Sequence, residues 1–176
     1  MKTTDSLVLF WRTAEIYSNW HPAKFVAENG QAFENSEQFM MWAKASIMGD
    51  LAMAAKMLTM SDPKTLKAMG RQVQNYRDEL WAKHRLAVMV HGCYLKFSQN
   101  PAMKAELLAT GDRILVEASP EDTIWGIGLE ESDPRCLNRE TWKGLNLLGE
   151  ALMVVRTLLR EDKPLPQEYI EWKLAA

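Results

Sequence analysis

Asn35-Ser-Glu-Gln-Phe-Met-Met-Trp-Ala-Lys-Ala-Ser-Ile-Met48 decides what kind of fold this chain can have. Asn35 is a good N-cap, and Gln38 three residues later completes a capping-box pattern. Phe39, Met40, Met41, Trp42, Ala43 and Ile47 then distribute apolar side chains around most of the helix. A helix that is apolar on nearly every side belongs inside a protein rather than on its surface. The residues on either side must therefore supply other elements to surround it. Gly49-Asp50 breaks the pattern and ends the helix near Met48.

Those surrounding elements are also predicted to be helices. A second helix is expected over residues 51–58, and a third is capped by Ser61, with Pro63 in its first turn and Gly70 at its end. Tyr76 or Arg77 opens a long helix to Gln99, with Leu80, Ala87, Val88, His91 and Leu95 at helical spacing and Trp81 and His84 on a neighbouring stripe. A short helix follows over residues 101–109, ended by Thr110-Gly111-Asp112. The last major helix runs from Gly144 to Arg160 on a stripe of Leu148, Leu152, Val155 and Leu159. Strands are few and short. Leu7-Val-Leu-Phe10 reads as one and residues 114–118 as another, while Asn29-Gly30 marks a small hairpin between residues 24–27 and 31–33. Otherwise the stretch from Ile16 to Ala27 looks irregular, and the polar run from Glu130 to Glu140 reads as a loop. The expected class is α+β and predominantly helical, as one domain over residues 1–163. Pro164 and Pro166 end regular structure, and the tail 164–176 docks through Tyr169 and Trp172.

Composition narrows the function. With 176 residues, 47% hydrophobic and 25% charged, the chain can bury a real core as one soluble domain. A net charge of −2 argues against a protein that grips nucleic acid through its phosphates. No stretch approaches the roughly 18–20 apolar residues of a membrane span, and no signal peptide is visible. Cys93 and Cys136 form no CxxC motif, so a cytoplasmic protein with reduced thiols is expected. Cys93, mid-helix among apolar residues, reads as inert. His21, His84 and His91 lack ligand spacing, so no metal site is expected. No phosphate loop, dinucleotide fingerprint or Gly-x-Ser-x-Gly elbow is present, so no cofactor is implied.

Two constellations stand out. Glu37 and Lys44 lie seven positions apart on the first helix and face nearly the same way, about 10 Å apart along its axis. Unpaired charge on a buried helix is costly, so both need an explanation. The plain one is a first-turn carboxylate suited to the helix dipole and a lysine that snorkels to solvent. The second constellation is Ser119-Pro-Glu-Asp-Thr-Ile-Trp-Gly-Ile-Gly-Leu129. Asp122 can accept protons from hydroxyls or amines, and Trp125 offers a rigid stacking face. Gly126 and Gly128 let backbone N–H groups approach a ligand closely. The plain reading is a turn-capping Asp and a Trp that fills a core gap. For Trp81 and His84 a core role is favoured. Lys143 and Asn146 open the last helix, where anions are welcome, or else sit on a solvated face.

Taken in order, these pieces resemble the NADAR (YbiA-like) family. The resemblance rests on Phe10 with Ser18-Asn19-Trp20, Ser36-Glu37-Gln38-Phe39 with Lys44-Ala45, Trp81, Asp122-Thr-Ile-Trp-Gly-Ile-Gly128 and Asn146-Leu-Leu-Gly-Glu-Ala-Leu-Met-Val-Val-Arg156, and covers roughly residues 8 to 160. Gln38 stands where the family commonly has His, and Trp20 where it commonly has Phe. The resemblance implies an N-glycosidase for ribosyl or ADP-ribosyl N-glycosides. Its small-molecule substrate would be a phosphoribosylamino-pyrimidine of riboflavin synthesis, or its target an ADP-ribosylated guanine in nucleic acid. It implies chemistry at Glu37, Lys44 and Asp122, and substrate contacts from Phe10, Arg12, Ser18, Asn19, Trp81, Trp125, Gly126 and Asn146. Arg12 and Asn146 are expected at phosphate or hydroxyls, and Trp81 and Trp125 as walls. Lys44 would form a transient imine with the opened sugar while Glu37 moves protons. The competing reading is a non-catalytic module that binds ADP-ribose or a related nucleotide. In that case Glu37 and Lys44 are replaceable without loss of affinity. A helical interaction protein is the third reading, in which the clustered features are accidental.

Overall fold

The computed structural model describes residues 1–176. Its strands are β1 (Lys2–Thr3), β2 (Leu7–Phe10), β3 (Phe25–Val26), β4 (Ala32–Phe33) and β5 (Ile114–Glu117). Its helices are α1 (Ser36–Ile47), α2 (Leu51–Met57), α3 (Pro63–Gly70), α4 (Asp78–Gln99), α5 (Pro101–Ala109) and α6 (Leu147–Arg160). The class is α+β and predominantly helical, as the apolar periodicity predicts. The chain divides into two compact units, each built from separated stretches. The first comprises Met1–His21 and Ala102–Lys163, the second Pro22–Pro101 and Pro164–Ala176.

The second unit is organised around α1, which packs against α2, α3 and α4. Ten of its twelve residues are buried, so its neighbours must cover every side of it. The predicted cap forms: Asn35 Oδ1 accepts from the Gln38 N–H at 2.9 Å. Gln38 returns the bond one residue further out than a standard capping box, its Oε1 accepting from the Glu34 N–H at 2.8 Å. Its Nε2 donates to Met60 O at 2.8 Å and Met57 O at 3.1 Å. One buried amide thus closes α1 and ties it to carbonyls at and just beyond the end of α2. The cap of α3 is Asp62 rather than Ser61: Asp62 Oδ2 accepts from the Thr65 N–H at 2.8 Å. Both residues are good caps, and Asp62 directly precedes Pro63, which fixes the start.

An aromatic core joins the hairpin, α1, α4 and the C-terminal tail. Phe33, Phe39 and Trp42 meet at centroid distances of 5.0 to 5.8 Å, and Trp172 stands edge-on to Phe39 at 5.9 Å and to Trp42 at 6.0 Å. Trp172 is buried, and its Nε1–H donates to His91 Nδ1 at 3.2 Å. Because an indole only donates, Nδ1 must be the acceptor and Nε2 must carry the proton. That Nε2–H reaches Glu28 Oε1 at 2.8 Å, and Lys173 Nζ closes on Glu28 Oε2 at 2.7 Å.

The first unit holds a three-stranded sheet of order β1-β2-β5, with β1 antiparallel and β5 parallel to β2. Leu7 lies opposite Ile114 and Phe10 opposite Glu117. All four residues of β2 are buried, which explains its unbroken apolar run. The two-residue β1 gave no alternation to read. Leu7, Leu9, Val116, Ala118, Ile127, Leu129 and Cys136 form one cluster, and α6 packs on β5. Two short 3-10 turns (Pro134–Leu137 and Arg139–Thr141) occupy the stretch expected as a loop. The last helix starts at Leu147 rather than Gly144, because Asn146 takes a left-handed backbone with φ 55° and ψ 35°.

Burial lowers the His91 pKa from its ordinary 6.5, against the pull of Glu28 upward. The unfolded chain takes up this proton first, so the buried neutral ring contributes fully above pH 6.5 and loses its contribution as pH falls through the lower folded value. The expected outcome is a thermal midpoint that falls between about pH 7 and about pH 5, with a flatter profile for His91→Gln over that window. Trp172→Ala removes the indole at the centre of this cluster and should cost about 3–5 kcal/mol in denaturant unfolding.

Candidate functional site

Glu37, Lys44 and Trp81 lie in the second unit, and the other candidates lie in the first. Glu37 sits in the first turn of α1, only 3% exposed. The unsatisfied N–H groups and dipole of the helix N-terminus favour a negative charge there. Lys44, two turns on, is half-buried. Its Nζ donates to the Gly70 carbonyl at 2.7 Å and lies 4.5 Å from the centre of the Tyr76 ring. Burial lowers the Lys44 pKa from its ordinary 10.5, while Glu37 and Asp78 pull it back up and Arg71 opposes them. The net shift is downward, so the amine gives up its proton more readily than a surface lysine. A carboxylate and an amine thus interact electrostatically along one face of α1. Tyr76 and Gly70, which hold the amine, were read only as helix boundaries. Nothing local marks a helix-ending carbonyl or a loop aromatic as a partner of a lysine that is remote in sequence. Trp81 is buried at 7% exposure in the first turn of α4.

In the first unit, Asp122 and Trp125 are joined by backbone bonding. Asp122 Oδ1 accepts from the Ile124 N–H at 2.9 Å and the Trp125 N–H at 2.8 Å. This is the turn-capping role of an Asp. It fixes the position of Trp125, whose side chain remains half-buried. The segment 122–128 is then stitched to residues 143–148. Lys143 N donates to Ile127 O, Asn146 N to Gly126 O, and Leu148 N to Trp125 O. Gly126 serves this close backbone packing: a Cβ there would lie 2.9 Å from Glu117 O. The expectation that Gly126 opens its backbone to a ligand is corrected accordingly.

Two further candidates, Phe10 and Asn146, are held in structural roles. Phe10 is completely enclosed and packs on Tyr17 at 5.4 Å, which leaves its side chain no face for a ligand. Asn146 is also fully buried. Its Oδ1 accepts from the Glu117 N–H and its Nδ2 donates to Leu115 O, both at 2.9 Å. It pairs the open edge of β5 as another strand would. Gly149, one helical turn on, lets α6 approach the same strand, since a Cβ would meet Leu115 O at 2.1 Å. Arg12 is exposed and lines a cleft of about 130 Å³ with Trp11, Ser132 and three carboxylates, Glu15, Glu130 and Glu131. That surrounding charge disfavours a phosphate. Ser18 and Asn19 are buried, and the Ser18 Oγ accepts from the Trp20 N–H at 3.2 Å. Asn19 Oδ1 is buried without a hydrogen-bond partner in the protein. No group of three or more His, Cys, Asp or Glu is placed to hold a metal ion. No helix is long and apolar enough to cross a membrane.

Comparison with known proteins gives a consistent set of relatives. The model of the NADAR domain family matches residues 9–160. An N-glycosidase of Acanthamoeba polyphaga mimivirus is 41% identical over 145 residues, covering 80% of this chain and 85% of that protein. A riboflavin biosynthesis protein of Vibrio vulnificus is 30% identical over 147 residues, covering 84% of this chain and 36% of that protein. The NMR structure of the Escherichia coli protein YbiA superimposes with a TM-score of 0.74 at 26% identity, covering 92% of this chain and 89% of that one.

The buried Asn146 amide generates a sharp expectation. Asn146→Ala leaves the Glu117 N–H and Leu115 carbonyl of β5 unpaired and removes a side chain suited to the left-handed backbone. The expected loss is about 2–4 kcal/mol of unfolding free energy in a urea titration. Substitution of exposed Arg12 by Ala should change stability by less than about 0.5 kcal/mol.

Proposed function

The chain belongs to the NADAR domain family, and from that premise we propose that it is an N-glycosidase that hydrolyses the C1–N bond of a ribosylated base. The observation that carries this reading is the half-buried Lys44 amine with lowered pKa, on the same face of α1 as the buried carboxylate of Glu37. Its support from relatives is the 41% identity to a protein named N-glycosidase. The substrate class we favour is a phosphoribosylamino-pyrimidine, in keeping with the relative named for riboflavin biosynthesis. An ADP-ribosylated guanine presents the same kind of linkage, a ribosyl C1 bonded to a base nitrogen.

The residues support a route through an imine. A ribosylamine opens to an imine at C1, and the neutral Lys44 Nζ adds to that carbon, forming a new C–N bond. Glu37 takes the proton that the added Nζ gives up and passes it to the base nitrogen, so the original C1–N bond breaks with its electron pair going to that nitrogen, releasing the base as a free amine and leaving C1 doubly bonded to Nζ. The lysyl imine that remains is hydrolysed by water, which returns the amine and frees the sugar as its aldehyde. Trp81 lies in the same unit as this pair, in the first turn of α4.

A release assay for free base, run side by side on phosphoribosylaminopyrimidine and ADP-ribosylated guanine, tests the activity and separates the two substrates. Glu37→Gln keeps shape and removes charge, and should lower kcat by about two to four orders of magnitude while the protein folds normally. Near-parental turnover in that variant excludes Glu37 from the chemistry. Borohydride added during turnover should leave a sugar adduct on Lys44 detectable by mass spectrometry. An unmodified Lys44 under those conditions excludes the imine.

A further inference from the structure

Building on the role proposed for Lys44, we propose that Tyr76 is a positioning residue that holds the Lys44 amine from above and sets how readily it loses its proton. Three contacts define the arrangement. The Lys44 Nζ donates to the carbonyl of Gly70, the last residue of α3, at 2.7 Å. A helix C-terminus carries partial negative charge and fixes one donor direction. The Tyr76 ring lies 4.5 Å from the same nitrogen. The ring in turn is fixed at its far end, where the hydroxyl donates to Asp78 Oδ1 at 2.8 Å in the first turn of α4. Asn75, immediately before, has a left-handed backbone with φ 55°, which turns the chain into this position.

The consequence is electrostatic as well as steric. An aromatic face attracts a cation and has no comparable attraction for a neutral amine. Burial and Arg71 drive Lys44 toward the neutral form, while Glu37 and Asp78 favour the ammonium, as does the face of the Tyr76 ring at 4.5 Å. Glu37 comes from α1 itself, Arg71 caps the end of α3, Tyr76 lies in the loop before α4, and Asp78 is the first residue of α4. Together these groups hold the amine in place as an ammonium and allow it to become a nucleophile without leaving that place. The phenol itself does not transfer protons at ordinary pH. Burial and the bond to Asp78 push its pKa up to about 12, so it remains a donor to that carboxylate. Tyr76 is 44% exposed, so replacing it does not open a hole in the core.

The test compares parent, Tyr76→Phe and Tyr76→Leu in two measurements. The first is the pH profile of base release. The second needs no activity: reductive methylation with isotope-labelled formaldehyde, followed by NMR titration of the Lys44 methyl resonance. Loss of the ring should lower the Lys44 pKa by about half a unit in the titration and move the acid limb of kcat/KM down by the same amount. The misaimed amine should lower the plateau kcat by about tenfold. Tyr76→Phe keeps the ring face and should hold the pKa near the parent value while losing a few-fold in kcat. Unchanged titration and profile in Tyr76→Leu overturn the inference. If the parent releases no base, the N-glycosidase reading fails, and the titration alone still decides whether Tyr76 sets the amine's proton affinity.

Discussion

Placing a carboxylate and an amine on a helix that is otherwise buried is the constraint on which the second unit depends. Ionised groups removed from water are costly unless the protein supplies the interactions that water supplied. Around α1 that supply is visible. Glu37 has the helix N-terminus, and Lys44 has the terminal carbonyl of α3 and the aromatic face that leads into α4. The ends of two helices are therefore placed by what the third needs. The neighbours that make the Lys44 charge tolerable also shift its proton affinity.

The sequence disclosed what is local. Apolar periodicity, the Asn35 cap and the proline and glycine boundaries were enough to place the helices within a few residues and to identify the class. Glu37 and Lys44 were legible because their spacing alone puts them on one face and their surroundings make them conspicuous. The errors have a common cause. Asn146 and Gly126 are set by approach to backbone across long sequence separations, and a motif of Asn and Gly looks alike whether it holds a ligand or a strand edge. Phe10 was misread because its family position says nothing about which way it points. Arg12 was misread because the three carboxylates around it are brought together only by folding.

Gln38 shows the same lesson from the opposite direction. As a departure from the family pattern it looked like a missing ring nitrogen. In place, its amide accepts from one backbone N–H and donates to the carbonyls that end α2. A neutral imidazole has one donor and one acceptor and serves fewer of these groups. Gln38 is therefore a joint between helices.

Trp172 completes an aromatic core whose other members were made long before it. Residues 22–101 and 164–176 form one unit, with residues 102–163 intervening in the chain. On a ribosome adding roughly 5–20 residues per second, the interval between those stretches is several seconds. During that time the newly made helices of this unit hold an open aromatic socket. Nascent chains would thus present a defined sticky surface to chaperones until residues 164–176 arrive to seal it.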